Sequence, residues 1–208
     1  MVREPSRKTP APGRTRANDP EGVRKRVLDA AAVLFQAHGY ASTGTQDIFD
    51  AAEVTSGAFY HHFTGKKELG LAVVRERVAV EVEGTWIAPL RDARSTLDGV
   101  TAVFASIGKE LDRNRAVRGC PVNNLALELA YIDVDFRREL KAVFDRWRSA
   151  LAAKLAEDMD RRIVRRRDPE ALASYVVSVY SGAMALAKVE QQSRPLDDCL
   201  SELTTALG

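Results

Sequence analysis

Cysteine is almost missing from this chain: Cys120 and Cys199 are the two in 208 residues. That is too few for a disulfide framework and fits a reducing compartment. Net charge is small as well. Lys+Arg 31 against Asp+Glu 29 leaves +2, so any nucleic-acid signal must come from where the charges sit. Proline is absent between Glu21 and Ala88 and again between Val122 and Asp168, which leaves both stretches free to form long helices. The first twenty residues hold no apolar run of the kind a secretory signal needs, so the expected location is cytoplasmic. With 45% hydrophobic and 29% charged residues, the composition is that of a globular protein. A secreted mini-protein, a coiled-coil rod and a collagen-like fibre are all excluded.

What is present is helical patterning. Residues 1–20 read as a disordered tail with one-sided charge: Arg3, Arg7, Lys8, Arg14 and Arg16 against Glu4 and Asp19. Such a tail is either a solvated terminus or a basic arm that follows a phosphate backbone. From Glu21, the residues Val23, Val27, Ala30, Ala31, Leu34 and Phe35 form one stripe of a helix that Gly39 ends. Two short helices follow, over about 45–52 and 56–62, joined by Glu53-Val54-Thr55. A long helix starts near Lys66, and further helices are expected over 95–114, 122–131, from Asp133 or Asp135 to the run Arg161–Arg167, over 169–190 and over 195–207. The basic run falls at a helix C-terminus, where cations offset the dipole. No segment alternates with period 2 for long enough to make a strand, so the fold is expected to be all-α.

Residues 171–187 carry no charge, the lower length limit for a membrane span. The stretch is rich in Ala and Ser, and we read it as a soluble helix buried on every side, with no membrane partner. Ser174, Ser178 and Gly182 recur every four residues, which permits close approach of a second helix. Together with Leu196, Leu200, Leu203 and Leu207 they make a candidate dimer interface; an ordinary intradomain core is the other reading.

The two short helices have the dimensions of a helix-turn-helix. Their residues Thr45-Gln46-Asp47-Ile48-Phe49-Asp50-Ala51-Ala52-Glu53-Val54-Thr55-Ser56-Gly57-Ala58-Phe59-Tyr60-His61-His62-Phe63, then Lys66 and Glu68-Leu69, closely resemble the DNA-binding domain of the TetR family of bacterial transcriptional repressors. The stretch Ala30–Phe35 with His38-Gly39-Tyr40 resembles that family's first helix. The resemblance covers about residues 23–69; one departure is Glu53, where the family usually has Gly, and an acidic residue there calls for a left-handed backbone or an altered turn.

The resemblance implies a three-helix DNA-binding domain over 21–68 and a larger helical ligand-binding and dimerisation domain over 69–208. The partners it implies are a double-stranded DNA operator, a second copy of the chain and a small-molecule effector. Tyr60, His62 and Lys66 match family positions that touch the phosphate backbone, and Thr45 stands at a helix N-terminus suited to a phosphate oxygen. Gln46, Thr55, Ser56 and His61 are left to read bases, with Gly57 and Ala58 allowing a close approach to the major groove. Phe59 and Phe63 are expected in the core. No Arg begins the recognition helix, so arm and shape contacts should weigh more.

Inner-face periodicity nominates Trp86, Phe104, Ile107, Leu125, Leu129, Phe144, Trp147 and Tyr175 as candidate pocket walls, although core packing accounts for most of them equally well. Asn123, Asn124 and Glu128 are polar residues at a mostly apolar helix, either capping it or orienting a ligand. Arg118-Gly119-Cys120-Pro121 resembles a segment in family members that sense electrophiles through a thiol. Near Arg115 and Arg118 the thiolate of Cys120 is expected to be favoured, against the plainer reading of a buried small hydrophobe.

No catalytic or cofactor signature occurs. Gly65-Lys66 would need Gly at position 60 and Ser or Thr at 67 to be a phosphate loop, and those are Tyr60 and Lys67. His61 and His62 are adjacent, so they project about 100° apart on a helix and are poor joint ligands for one metal. The chain therefore reads as a non-enzyme without cofactor. The rival is a small-molecule-binding or helical interaction module whose helix-turn-helix is vestigial, and salt-dependent DNA binding separates the two.

Overall fold

The computed structural model describes residues 19–114 and 116–207. Most of the basic tail, residues 1–18, and Arg115 lie outside the described residues. Among these residues the regular structure is entirely helical. The helices are α1 (Pro20–His38), α2 (Thr45–Ala52), α3 (Ser56–His62), α4 (66–92), α5 (Thr96–Asn114), α6 (Pro121–Leu129), α7 (Val134–Asp160), α8 (Pro169–Glu190) and α9 (Arg194–Leu207).

Local capping chemistry sets most boundaries. Asp19 accepts from Gly22 N at 3.0 Å, with Pro20 in the first turn of α1. Thr55 Oγ1 accepts from Ala58 N at 3.2 Å and starts α3. Asp133 caps α7 and Asp168, followed by Pro169, caps α8. At α5 the Ser95 hydroxyl accepts from Asp98 N at 3.1 Å, while Thr96 N reaches across the chain to the buried carboxylate of Asp158 at 2.5 Å.

The turn between α2 and α3 carries a specific strain. Glu53 sits in the left-handed region at φ 53, ψ 50, a conformation that costs an L-residue roughly 1–2 kcal/mol. Glu53→Gly should therefore stabilise the protein by about 1 kcal/mol. A thermal melt checks this, and an unchanged or lowered midpoint would contradict it.

α1, α2 and α3 pack around Phe49, Phe59 and Phe63, with ring centroids 4.9 Å apart for Phe49–Phe59 and 5.7 Å for Phe59–Phe63. α4 begins in this unit and runs on into the second. Gly70 permits the crossing: a Cβ there would meet the rings of Phe136 and Tyr40 at 2.7 Å. α4 is not a uniform helix. Two π-helical turns, Val74–Val78 and Glu83–Ile87, interrupt it and bracket Ala79–Val82.

The remaining helices enclose an aromatic cluster. Trp86 lies 4.8 Å from Trp147, 4.7 Å from Tyr180 and 5.9 Å from Phe104, ring centroid to centroid. α8 packs against both α7 and α9. By length and composition alone α8 would suffice to cross a membrane, but one side of it is committed to this bundle.

Two expectations are corrected here. α8 is not buried on every side: Ala171, Ser178 and Gly182 are exposed, Tyr175 is 44% exposed, Leu186 52% and Val189 84%. They recur at helical spacing along one face, which the bundle leaves uncovered. Leu196, Leu203 and Leu207 are, by contrast, buried within the chain, because α9 lays its apolar stripe on α5 and α8. They are core residues here, with Leu200 half-buried at the margin.

Candidate nucleic-acid interface and effector cavity

α3 is held from below and open above. Phe59 is fully buried on one side while Thr55, Ser56, Gly57, Tyr60 and His61 are exposed on the other, with His62 half-buried. Thr45 is half-buried at the first turn of α2, and Gln46 is exposed there with its amide donating to Asp50 Oδ1 at 2.8 Å. The sequence-nominated residues of α2 and α3 thus lie on neighbouring elements of one small unit.

Two of them already have structural duties. The Thr55 hydroxyl caps α3, and Lys66 Nζ donates to Ala41 O at 3.3 Å while lying 4.5 Å from the Tyr40 ring centroid. Burial pushes the Lys66 ammonium below its ordinary pKa. The outer side of α2 bears Asp47 and Asp50, and Glu53 follows in the turn, all exposed. Lys67 points away into an ion pair with Asp135 and Asp133, both at 2.9 Å. Those hydrogen bonds push its pKa up to about 12. The carboxylates of Asp47, Asp50 and Glu53 stand against the cations that Arg24, Arg26 and Lys66 bring to the same unit.

A cavity of about 570 Å³ lies behind this unit, and helix α1 forms one of its walls through Ala32, Val33, Phe35 and Gln36. Opposite stand Val78 and Glu81 of α4, Ile107 and Glu110 of α5, Cys120, Leu125 of α6 and Tyr180 of α8. A narrow inner recess adjoins it, lined by Trp86 and Trp147 together with Glu81, Cys120 and Tyr180. Tyr180, Glu81 and Glu110 were not among the sequence nominations. Tyr180 belongs to the same uncharged stretch as Tyr175, and only the helix's rotation in the fold tells the two apart.

The nominated pocket residues therefore divide. Ile107, Cys120 and Leu125 line the main cavity, and Trp86 and Trp147 line the recess. Phe104 and Leu129 are core. Phe144 lines a separate groove with Asn123, Ser174 and Ser178, and Tyr175 points outward on the open face of α8.

Asn124 and Glu128 neither cap α6 nor line the cavity. Glu128 accepts from the backbone N–H groups of Tyr40 at 2.9 Å and Ala41 at 2.5 Å, fastening α6 to the turn after α1. The amide of Asn124 donates to Arg118 O at 2.8 Å and to Gln36 Oε1 at 3.3 Å, while Gln36 donates to Gly119 O at 2.6 Å. Arg24 adds a two-pronged bond to Glu76, holding that carboxylate below its ordinary pKa. The cavity rim is thereby tied directly to α1.

Cys120 follows the plainer of its two readings. Its thiol is buried, and burial pushes its pKa up to about 11. The α6 N-terminus does not offset that desolvation, so the neutral thiol dominates near pH 7.

Comparison with known proteins agrees with this architecture. The model of bacterial regulatory proteins of the tetR family matches residues 27–73, and that of the LmrA/YxaF-like transcriptional regulator C-terminal domain matches residues 96–202. The chain is 30% identical over 187 residues to the HTH-type transcriptional repressor DhaR of Mycobacterium sp. (strain GP1), covering 89% of this chain and 92% of that one. It is 32% identical over 196 residues to the transcriptional regulator AcuR of Cereibacter sphaeroides, covering 90% and 86%. Among solved structures, regulatory protein TetR from Rhodobacter sphaeroides superposes with a TM-score of 0.81 at 26% identity, over 89% of this chain and 99% of that one.

Proposed function

Because the chain belongs to the TetR family of bacterial transcriptional regulators, we propose that it works as a homodimeric repressor released from a palindromic operator by a small molecule. Residues 21–68 form the DNA-binding domain and residues 69–208 the effector and dimerisation domain. Relatives named as repressors support the sign of regulation.

The observation that carries the reading is the shared wall. α1 packs on α2 and α3 on one side and lines the cavity on the other. An occupant that pushes on Phe35 or Gln36 shifts the seat of the recognition helix. Two half-sites on a duplex lie about 34 Å apart, so a small change in spacing misaligns both helices. The release must equal the ligand's differential affinity for the two arrangements.

In the bound state, Thr45, Tyr60, His62 and Lys66 hold phosphates, while Gln46, Thr55, Ser56 and His61 face base edges. Lys66 exchanges its bond to Ala41 O for a phosphate oxygen. With Asp47, Asp50 and Glu53 nearby, the cations of residues 1–20 add to the attraction.

The test is fluorescence anisotropy on the DNA upstream of the protein's own coding region, against scrambled DNA, across a salt series. Specific binding that weakens steeply with salt is expected. Equal, salt-insensitive binding to both duplexes would instead favour the interaction-module reading.

A further inference from the structure

Among the described residues the inner recess has one charged lining side chain, Glu81, whereas the main cavity mixes two carboxylates with Arg77 and Arg118. Glu81 and Glu110 both line it, and among the described residues no donor bonds either carboxylate. Arg77 lines it too, but its guanidinium is committed: Nε donates to Asp29 at 2.7 Å and Nη1 to Glu76 O at 2.9 Å. Arg118 is exposed.

Glu81 occupies a distinctive place. It borders both the main cavity and the inner recess. It also lies between the two π turns of α4, on the short α-helical piece Ala79–Val82. Turns of that kind are rare and concentrate at functional sites. Water reaches the Glu81 side chain through the open mouth, yet the surrounding walls raise its pKa, with Glu110 adding to the effect. The thiol of Cys120 and the hydroxyl of Tyr180, on the same recess, both feel the Glu81 charge as a further push upward after burial. Among the described residues the inner recess thus carries a carboxylate with no cation lining it, and the rings of Trp86, Trp147 and Tyr180 line the same recess. An ammonium group satisfies all of these at once: it pairs with the carboxylate and is attracted by the ring faces.

We propose that the cavity takes an organic cation, whose ammonium group pairs with Glu81 and whose apolar body lies against Val78, Ile107, Leu125 and Tyr180. This rests on the reading of the cavity as the effector site and assigns that effector a chemical class. Anionic ligands should bind more weakly, because the Glu81 charge that holds the ammonium repels a carboxylate at the recess.

Three probes with one ring and different heads test it: cyclohexylammonium, cyclohexanol and cyclohexanecarboxylate, at pH 7 on the full chain. The protein has two tryptophans, Trp86 and Trp147, and both line the recess beside Glu81. Saturable change in tryptophan emission therefore reports occupation of this site. The ammonium should bind roughly 10- to 100-fold tighter than the alcohol, with the carboxylate weakest. In Glu81→Gln that preference should fall close to unity while cyclohexanol still binds, which shows the cavity intact. Glu110→Gln should reduce the preference less.

Equal or tighter binding of the alcohol or the carboxylate overturns the proposal, as does absence of any saturable response to the ammonium or a preference that survives in Glu81→Gln. Operator anisotropy separates this from the effector reading. Ammonium binding without DNA release upholds the ligand class and overturns the effector role, whereas release by the carboxylate overturns the class and upholds the effector role.

Discussion

Leu186→Glu combined with Val189→Glu should convert the protein to a monomer and weaken operator binding by roughly 100-fold or more. Both side chains lie on the exposed face of α8, at 52% and 84% exposure. Tyr175, Ser178 and Gly182 continue the same face. Gly182 has no atom within 4 Å of where a Cβ would sit, so the row is open to close approach by another helix. In the proposed homodimer, with this face at its two-fold axis, two carboxylates introduced there would face their own symmetry copies, where like charges repel and are costly to desolvate.

The fold of one chain should survive, since the face makes little of the internal core. Affinity falls because a duplex then meets one recognition helix at a time, and the second half-site no longer benefits from effective concentration. Sedimentation velocity gives the oligomeric state and anisotropy the affinity. A dimer that persists in the double variant would move the interface elsewhere.

That face was only half legible in the sequence. The spacing of Ser174, Ser178 and Gly182 pointed to a packed helix, but periodicity reports an apolar stripe without saying which element covers it. Leu196 and Leu203 looked equally available and turned out to fill the chain's own core. The same limit governs the cavity: Tyr175 and Tyr180 are five residues apart on α8, and one faces solvent while the other lines the recess.

What did read directly was local. Asp133 and Asp168-Pro169 carry their own helix starts, because a cap is made within three residues of itself. The π turns in α4 escaped notice, since i→i+5 bonding has no residue signature comparable to a cap. Glu128 escaped because its partners, Tyr40 and Ala41, are 88 and 87 residues away. The thiolate preference expected of Cys120 failed for a related reason. Its position at a helix start is local, but the burial that decides its pKa is a property of the assembled bundle.

The recognition helix lends itself to a cleaner separation of folding from function. Gly57→Glu should abolish specific DNA binding, by roughly 100-fold or more, without loss of stability. A Cβ at Gly57 would find only Thr55 Oγ1 at 4.0 Å, so the folded chain has room for a side chain. Gly57 also lies inside α3 with no positive φ to preserve, and replacing a helical glycine tends to stabilise by up to about 1 kcal/mol. The melting midpoint should hold or rise. In the proposed docking of α3, the same open space is taken by the groove. A longer side chain there holds the helix off the bases, and a carboxylate adds repulsion from phosphates that Asp47, Asp50 and Glu53 already make poorly compensated.

Gly57→Ala isolates the steric part: it should keep most of the affinity and show the same or greater stability. Anisotropy on the specific duplex, read beside thermal melts of the three proteins, separates the contributions. If Gly57→Glu bound DNA as tightly as the parent, α3 would not be the element that enters the groove. Loss of affinity in both variants with intact melts would place the contact at the backbone of Gly57 itself, close enough that a single methyl group is excluded.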